Sequence, residues 1–160
     1  ILRALKKICK RHSDVRIMIT GDSRVFARVD IPEPQKVYQN FVHFEHWPKV
    51  LSNFDIGICP LSGEYDRRRS LIKPLEYMAM KIPWIGSNND SYDSIKQYGQ
   101  VVKNDYYSWS NALEDTISNI EKYREKAEES YKFAVSQSVD NNIDYIVDTY
   151  NQVIKKGYRA

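Results

Sequence analysis

The sequence predicts an α/β chain in which a parallel sheet is flanked by helices and the C-terminal part is helical. Three observations predict it. Short β-branched and apolar runs alternate with helical patterns over roughly the first hundred residues. One of these runs, Asp55 to Leu61, is apolar nearly throughout, as expected of a parallel strand covered on both faces. From Tyr107 onward the apolar residues keep helical spacing.

A chain of 160 residues with 42% hydrophobic and 28% charged residues has ordinary globular composition and suffices for one domain around one core. Its formal net charge of +3 is too small to make nucleic acid or another acidic polymer an obligatory partner. No apolar run approaches the roughly 18 to 20 residues that span a bilayer, and the first residues lack a signal peptide's order of charge then apolar core. This places the domain in the cytoplasm. Cys9 and Cys59 read as buried free thiols rather than ligands, because neither a disulfide framework nor metal spacing is visible. The chain begins at Ile1, directly in a helical pattern, which reads as a piece of a longer protein.

The elements follow in order. Residues 1 to 12 set Ile1, Leu5, Ile8 and Cys9 on one stripe of a helix whose other side is basic; a solvated amphipathic helix is the plain reading, and a membrane-surface helix is the weaker one. Val15 to Thr20 predicts a strand closed by Gly21-Asp22, and residues 23 to 36, with Pro32 and Pro34, predict an irregular connection. Val37 to Phe44 predicts a second strand. Trp47, Val50, Leu51 and Phe54 predict a short helix leading to the third strand, Asp55 to Leu61, which is expected to lie centrally. Pro60 then releases the chain into a loop at the carboxyl end of the strand, where ligands collect in open α/β sheets.

A helix starts between Ser70 and Lys73, with Leu71, Leu75, Met78 and Ala79 on the face taken as core and Lys73, Glu76, Tyr77 and Met80 on another. Ile82 to Ser87 is the fourth strand. Asn88 to Ser91 cap a short helix ending near Tyr98-Gly99, and Gln100 to Lys103 is a weak fifth strand. The helical region has three apolar sets: Trp109 to Ile120, Tyr123 to Ala134, and Val139 to Ile154, with Asp140 as the start signal of the last. Its tyrosines are expected to be half-buried packing residues rather than a stacking platform.

The stretch Tyr65 to Ala79 draws the functional reading. It gathers Arg67, Arg68, Arg69 and Lys73 at a helix start, where the partial positive charge of the helix favours acidic side chains instead. A bound anion reverses that penalty, since unpaired backbone N–H groups of a first helical turn beside Arg and Lys form a phosphate site.

Tyr65, Asp66, Arg69-Ser70, Lys73, Leu75-Glu76-Tyr77 and Ala79 resemble the nucleotide-sugar site of the GT-B glycosyltransferases, glycosyltransferase family 4 in particular. The strands Phe54 to Leu61 and Ile82 to Ser87 are similar to that family's flanking strands, in order and at similar spacing. The resemblance implies a Rossmann-like sheet, the C-terminal half of a GT-B fold, across residues 1–160. It implies that the acceptor-binding half, and the first strand of this half, lie outside the chain. It also implies a retaining, metal-independent transferase of glycan or polysaccharide biosynthesis, acting on a nucleotide diphosphate sugar and a glycan or lipid-linked acceptor. No cofactor beyond that donor is implied, and peripheral association with the inner face of a membrane is admitted.

By the same resemblance Glu76 accepts hydrogen bonds from the two ribose hydroxyls. Ser70 and the N–H groups of Leu71 and Ile72 meet the pyrophosphate, and Arg69 and Lys73 neutralise its charge. A charge-assisted hydrogen bond of this kind contributes about 1.5 to 3 kcal/mol, or roughly one to two decades of affinity. The catalytic base is not assigned. Many members carry a second glutamate eight positions before the ribose-binding one, near the transferred sugar; here that position is Arg68.

Blander readings stand beside these. Lys73 and Glu76 could form a surface ion pair worth a few tenths of a kcal/mol. Arg67 and Arg68 read as solvated, and His12, His43 and His46 as structural or surface residues. As whole-protein alternatives, a non-catalytic nucleotide- or anion-binding module shares the layered fold. A nucleic-acid binder using Arg67 to Arg69 ranks last because the net charge is small.

Overall fold

The computed structural model describes residues 1–155. All five expected strands form, each shorter than its apolar run: β1 Ile17–Thr20, β2 Lys36–Gln39, β3 Gly57–Cys59, β4 Trp84–Ser87 and β5 Gln100–Val102. The helices are α1 Leu2–Arg11, α2 Ser23–Arg28, α3 Trp47–Leu51, α4 Ile72–Ala79, α5 Tyr106–Ser118, α6 Ile120–Ser136 and α7 Val139–Lys155. Tighter 3₁₀ turns cover Phe44–His46, Tyr65–Arg68 and Asp90–Tyr98.

Every strand pairing is parallel. The strands divide into two sheets rather than the single one expected, a pair β1-β2 and a triplet β3-β4-β5. Ile17 lies opposite Lys36 in the first, and Gly57 opposite Trp84 and Ile85 opposite Gln100 in the second. A slot of about 730 Å³ borders both, lined by Ile17 and Met18 of β1, Ile58 of β3, and Leu5, Ile8 and Leu113 from the helices, with Asp14, Arg16, Asp55 and Arg124 also along it. The third strand is therefore not central in its sheet. β4 holds that position, and β3 owes its burial to the helices above and below it.

The two faces of the triplet build two cores, as alternation of side chains along a strand requires. Ile85 faces α1 and α5, packing with Leu5, Ile8, Trp109 and Leu113. Trp84, its neighbour, faces the opposite way into Cys59, Tyr77, Met78, Tyr92 and Ile95, beneath α4 and the 3₁₀ turn that follows β4. Gly57 is required where it stands: a Cβ there would lie 2.4 Å from the Tyr77 ring.

Four expectations are corrected. The stretch from residue 23 contains α2, because Asp22 accepts a hydrogen bond from the Arg24 N–H (2.8 Å) and caps it well before the prolines. On α4, Pro74, Tyr77 and Met78 are buried while Ala79 is exposed, so Tyr77 belongs to the core face; its ring lies flat on Gly57. Among the described tyrosines of the helical region, Tyr123 is half-buried as expected and Tyr106 and Tyr131 nearly so, but Tyr107, Tyr145 and Tyr150 are exposed. The apolar set on α7 forms a helix as expected, yet none of its residues is buried; its main packing among the described residues is against α6.

Candidate functional site

The site is built at the carboxyl ends of β3 and β4. Ser87, the last residue of β4, is fully buried, and its Oγ accepts the Leu61 N–H at 2.8 Å. The same hydroxyl donates to Asn104 Oδ1 at 2.6 Å, and Asn104 in turn donates its amide to the Leu61 carbonyl. Trp109 Nε1 completes the group by donating to Asn104 Oδ1 at 3.2 Å. These bonds fix where the chain leaves β3. Sequence reasoning missed Ser87 and Asn104 as positioning groups, although both follow apolar strands at the end where sites form.

The loop that follows is held by its own acids. Asp66 Oδ2 accepts the Ser62 N–H at 2.7 Å, closing the turn into the 3₁₀ segment. Arg67 donates to Asp90 at 2.9 Å and to Glu64 at 3.3 Å, and the neighbouring carboxylates raise its already high pKa further. Arg67 is thus a strap between this loop and the segment after β4. Arg68 forms no ion pair among the described residues and lines a depression of about 660 Å³ with Glu64, Tyr65, Arg69, Ser70 and Ile72.

The start of α4 borders that depression. Its N-cap, Leu71, provides no side-chain hydrogen bond, and no acidic residue occupies the first turn. Pro74 has no N–H to satisfy. The first-turn N–H groups and the positive end of the helix therefore lie beside a concave surface lined by two arginines and Glu64. Arg69 lies 6.0 Å from the centre of the Tyr65 ring, which is itself largely exposed.

The predicted residues divide into two groups. Arg69, Ser70 and Ile72 meet around the depression, with Leu71 half-buried behind them. Lys73 and Glu76 do not line it. They form the ion pair considered above, with Lys73 Nζ 2.9 Å from Glu76 Oε2, and Lys73 also lies 4.7 Å from the centre of the Trp47 ring on α3. Glu76 is not turned into the core: its side chain keeps 22% of its exposure, against 55% for Lys73. Trp47 was read only as a packing residue, and its place over Lys73 had no signal in the sequence.

Elsewhere the histidines stay outside the site. His43 and His46 are exposed, and His12 Nε2 is 3.0 Å from Glu114 Oε1. Among the described residues no three His, Cys, Asp or Glu side chains cluster as metal ligands, and no helix is long and apolar enough to cross a membrane.

Comparison with known proteins follows the same lines. A family model described as glycosyl transferases group 1 matches residues 1–119. No curated protein sequence matches the chain. Among solved structures, the chain is similar to the C-terminal domain of a glycosyl transferase group 1 family protein (LpcC) from Francisella tularensis, with a TM-score of 0.67 and 16% identity over 85% of this chain and 76% of that one. It is similar to sucrose-phosphate synthase from Thermosynechococcus elongatus, with a TM-score of 0.75 and 11% identity over 98% of this chain and 43% of that one. Anabaena HepE in complex with UDP-glucose gives a TM-score of 0.74 and 16% identity over 94% of this chain and 44% of that one. The chain thus spans less than half the length of the last two.

Proposed function

The chain belongs to the glycosyl transferase group 1 family, and on that premise we propose that it is the donor half of a glycosyltransferase, binding a nucleotide diphosphate sugar at the start of α4. One observation carries this reading. An uncapped, acid-free helix start lies beside a depression lined by two arginines and Glu64 at the carboxyl ends of parallel strands, with a partly exposed carboxylate, Glu76, one turn further on. A diphosphate matches the N–H groups of Leu71 and Ile72, the Ser70 hydroxyl and the Arg69 guanidinium. Glu76 matches a ribose diol.

Transfer then proceeds by loss of the nucleoside diphosphate, whose growing charge Arg69 and Lys73 offset. We assign the acceptor, a glycan or lipid-linked sugar, and the catalytic base to a second domain, so residues 1–160 alone bind donor without transferring it. The reaction proposed is retaining and independent of metal or other cofactor, in the cytoplasm or at the inner membrane face. The UDP-glucose bound by HepE supports the donor class by analogy of fold. Arg68, where many members have an acid near the sugar, favours a second reading, a nucleotide-binding module without transfer.

Calorimetric titration of the chain with UDP, GDP, TDP and ADP tests the donor site. One diphosphate is expected to bind saturably, about ten- to a hundredfold more weakly to the Glu76→Ala variant. Equal binding to both proteins removes Glu76 from the site. A transfer assay on the full-length enzyme separates the two readings.

A further inference from the structure

Lys73 is held from two sides. Its ammonium lies 2.9 Å from Glu76 Oε2 and 4.7 Å from the centre of the Trp47 ring. A lysine ammonium on a four-carbon stem is otherwise a mobile point charge, and with half of its exposure retained a single ion pair fixes it weakly. We propose that Trp47 is a positioning residue of the donor site. Its ring holds the Lys73 ammonium beside the first turn of α4 while that ammonium exchanges its anionic partner from Glu76 to an incoming diphosphate.

The charges favour such an exchange. Lys73 and Glu76 offset each other's charge in the structure. A nucleoside diphosphate brings an anion for the ammonium and a neutral diol for the carboxylate. In this proposal both protein groups turn toward the ligand together, each having further hydrogen-bonding capacity beyond their mutual bond. The indole face attracts the ammonium through its quadrupole but carries no net charge, so it competes with neither the carboxylate nor the diphosphate and keeps its hold in both states.

Trp47 packs as well as meeting the ammonium. Trp47 borders the core that contains Tyr77 and Met78, yet its indole N–H is buried without an acceptor. The indole also presents the strongest cation-binding face among the aromatic side chains.

This inference rests on the donor-site reading, and its test separates the two. UDP, GDP, TDP and ADP are titrated into wild type, Trp47→Phe, Trp47→Leu, Lys73→Met and the Trp47→Leu/Lys73→Met double variant, with folding of each followed by thermal melting. Trp47→Phe keeps an aromatic face and is expected within about threefold of wild type, while Trp47→Leu binds about three- to tenfold more weakly. In the Lys73→Met background the Trp47→Leu change is expected to cost nothing further, because no ammonium remains to be held. Wild-type emission excited at the red edge of tryptophan absorption should change on saturation, and that change should disappear in folded Trp47→Phe.

Wild-type affinity in Trp47→Leu overturns the inference, as does an equal loss with and without Lys73. Failure of wild type to bind any of the four diphosphates overturns the donor-site reading and this inference with it.

Discussion

Replacing Ser87 with alanine tests how the site is anchored. The hydroxyl makes two hydrogen bonds in a fully buried position, accepting the Leu61 N–H at 2.8 Å and donating to Asn104 Oδ1 at 2.6 Å. Asn104 keeps a donor from Trp109 and its own bond to the Leu61 carbonyl, so its loss is partial. The Leu61 N–H is left with no partner, which costs about 1 to 3 kcal/mol, and the volume removed is a single oxygen. The expected destabilisation is therefore about 2 kcal/mol, a large share of the roughly 5 to 15 kcal/mol that holds a domain folded. Urea unfolding followed by far-ultraviolet circular dichroism should show a lower midpoint at unchanged slope. Because Leu61 is where the chain enters the loop carrying Arg69 and Ser70, diphosphate affinity should fall as well. A loss below about 0.5 kcal/mol would refute the assignment of these bonds as the anchor.

Three further outcomes are expected. Gly57→Ala should destabilise by about 1 to 3 kcal/mol in the same unfolding assay, because its Cβ would meet the Tyr77 ring at 2.4 Å and neither the strand nor the buried ring can move freely. Burial pushes the Cys59 thiol up to about 12, so the folded state keeps a proton that the unfolded chain releases near pH 8.5 to 9. Its contribution is whole below that pH and falls by about 1 kcal/mol per unit as pH rises further; stability measured between about pH 9 and 10 should lose this slope in Cys59→Ala. Glu76→Gln should change stability by less than about 1 kcal/mol, since its ion pair is partly exposed, which would make any large loss of ligand affinity a property of the site rather than of the fold.

The layered fold was legible because its signals are local. Each strand was marked by its own apolar run, and α4 by the change from strand to helical spacing before Pro74. What the sequence did not carry was the company each element keeps. β3 reads as central from composition, yet an edge strand looks the same when helices cover both its faces. Tyr77 sits beside polar neighbours on the helical wheel, and only the absence of a side chain at Gly57, twenty residues away, gives its ring a place in the core. The α7 stripe obeys helical periodicity, which establishes a face but not what packs on it.

The site was legible to the same degree. Arg69, Ser70 and Ile72 are neighbours in sequence and meet around one depression, so local reasoning reached them. Trp47, Ser87 and Asn104 act across long stretches of chain, through a ring face and a buried hydroxyl whose partners no spacing rule specifies. Lys73 and Glu76 show both readings at once: their ion pair is present, and it is the pair that a diphosphate and a diol would divide.

The most direct measurement is an amide chemical-shift titration of the isotope-labelled chain with the nucleoside diphosphate that calorimetry selects. The account predicts saturable shifts that are largest at the N–H groups of Ser70, Leu71 and Ile72, where the diphosphate meets the start of α4. Saturable binding that leaves those three amides unmoved and shifts residues elsewhere would contradict it.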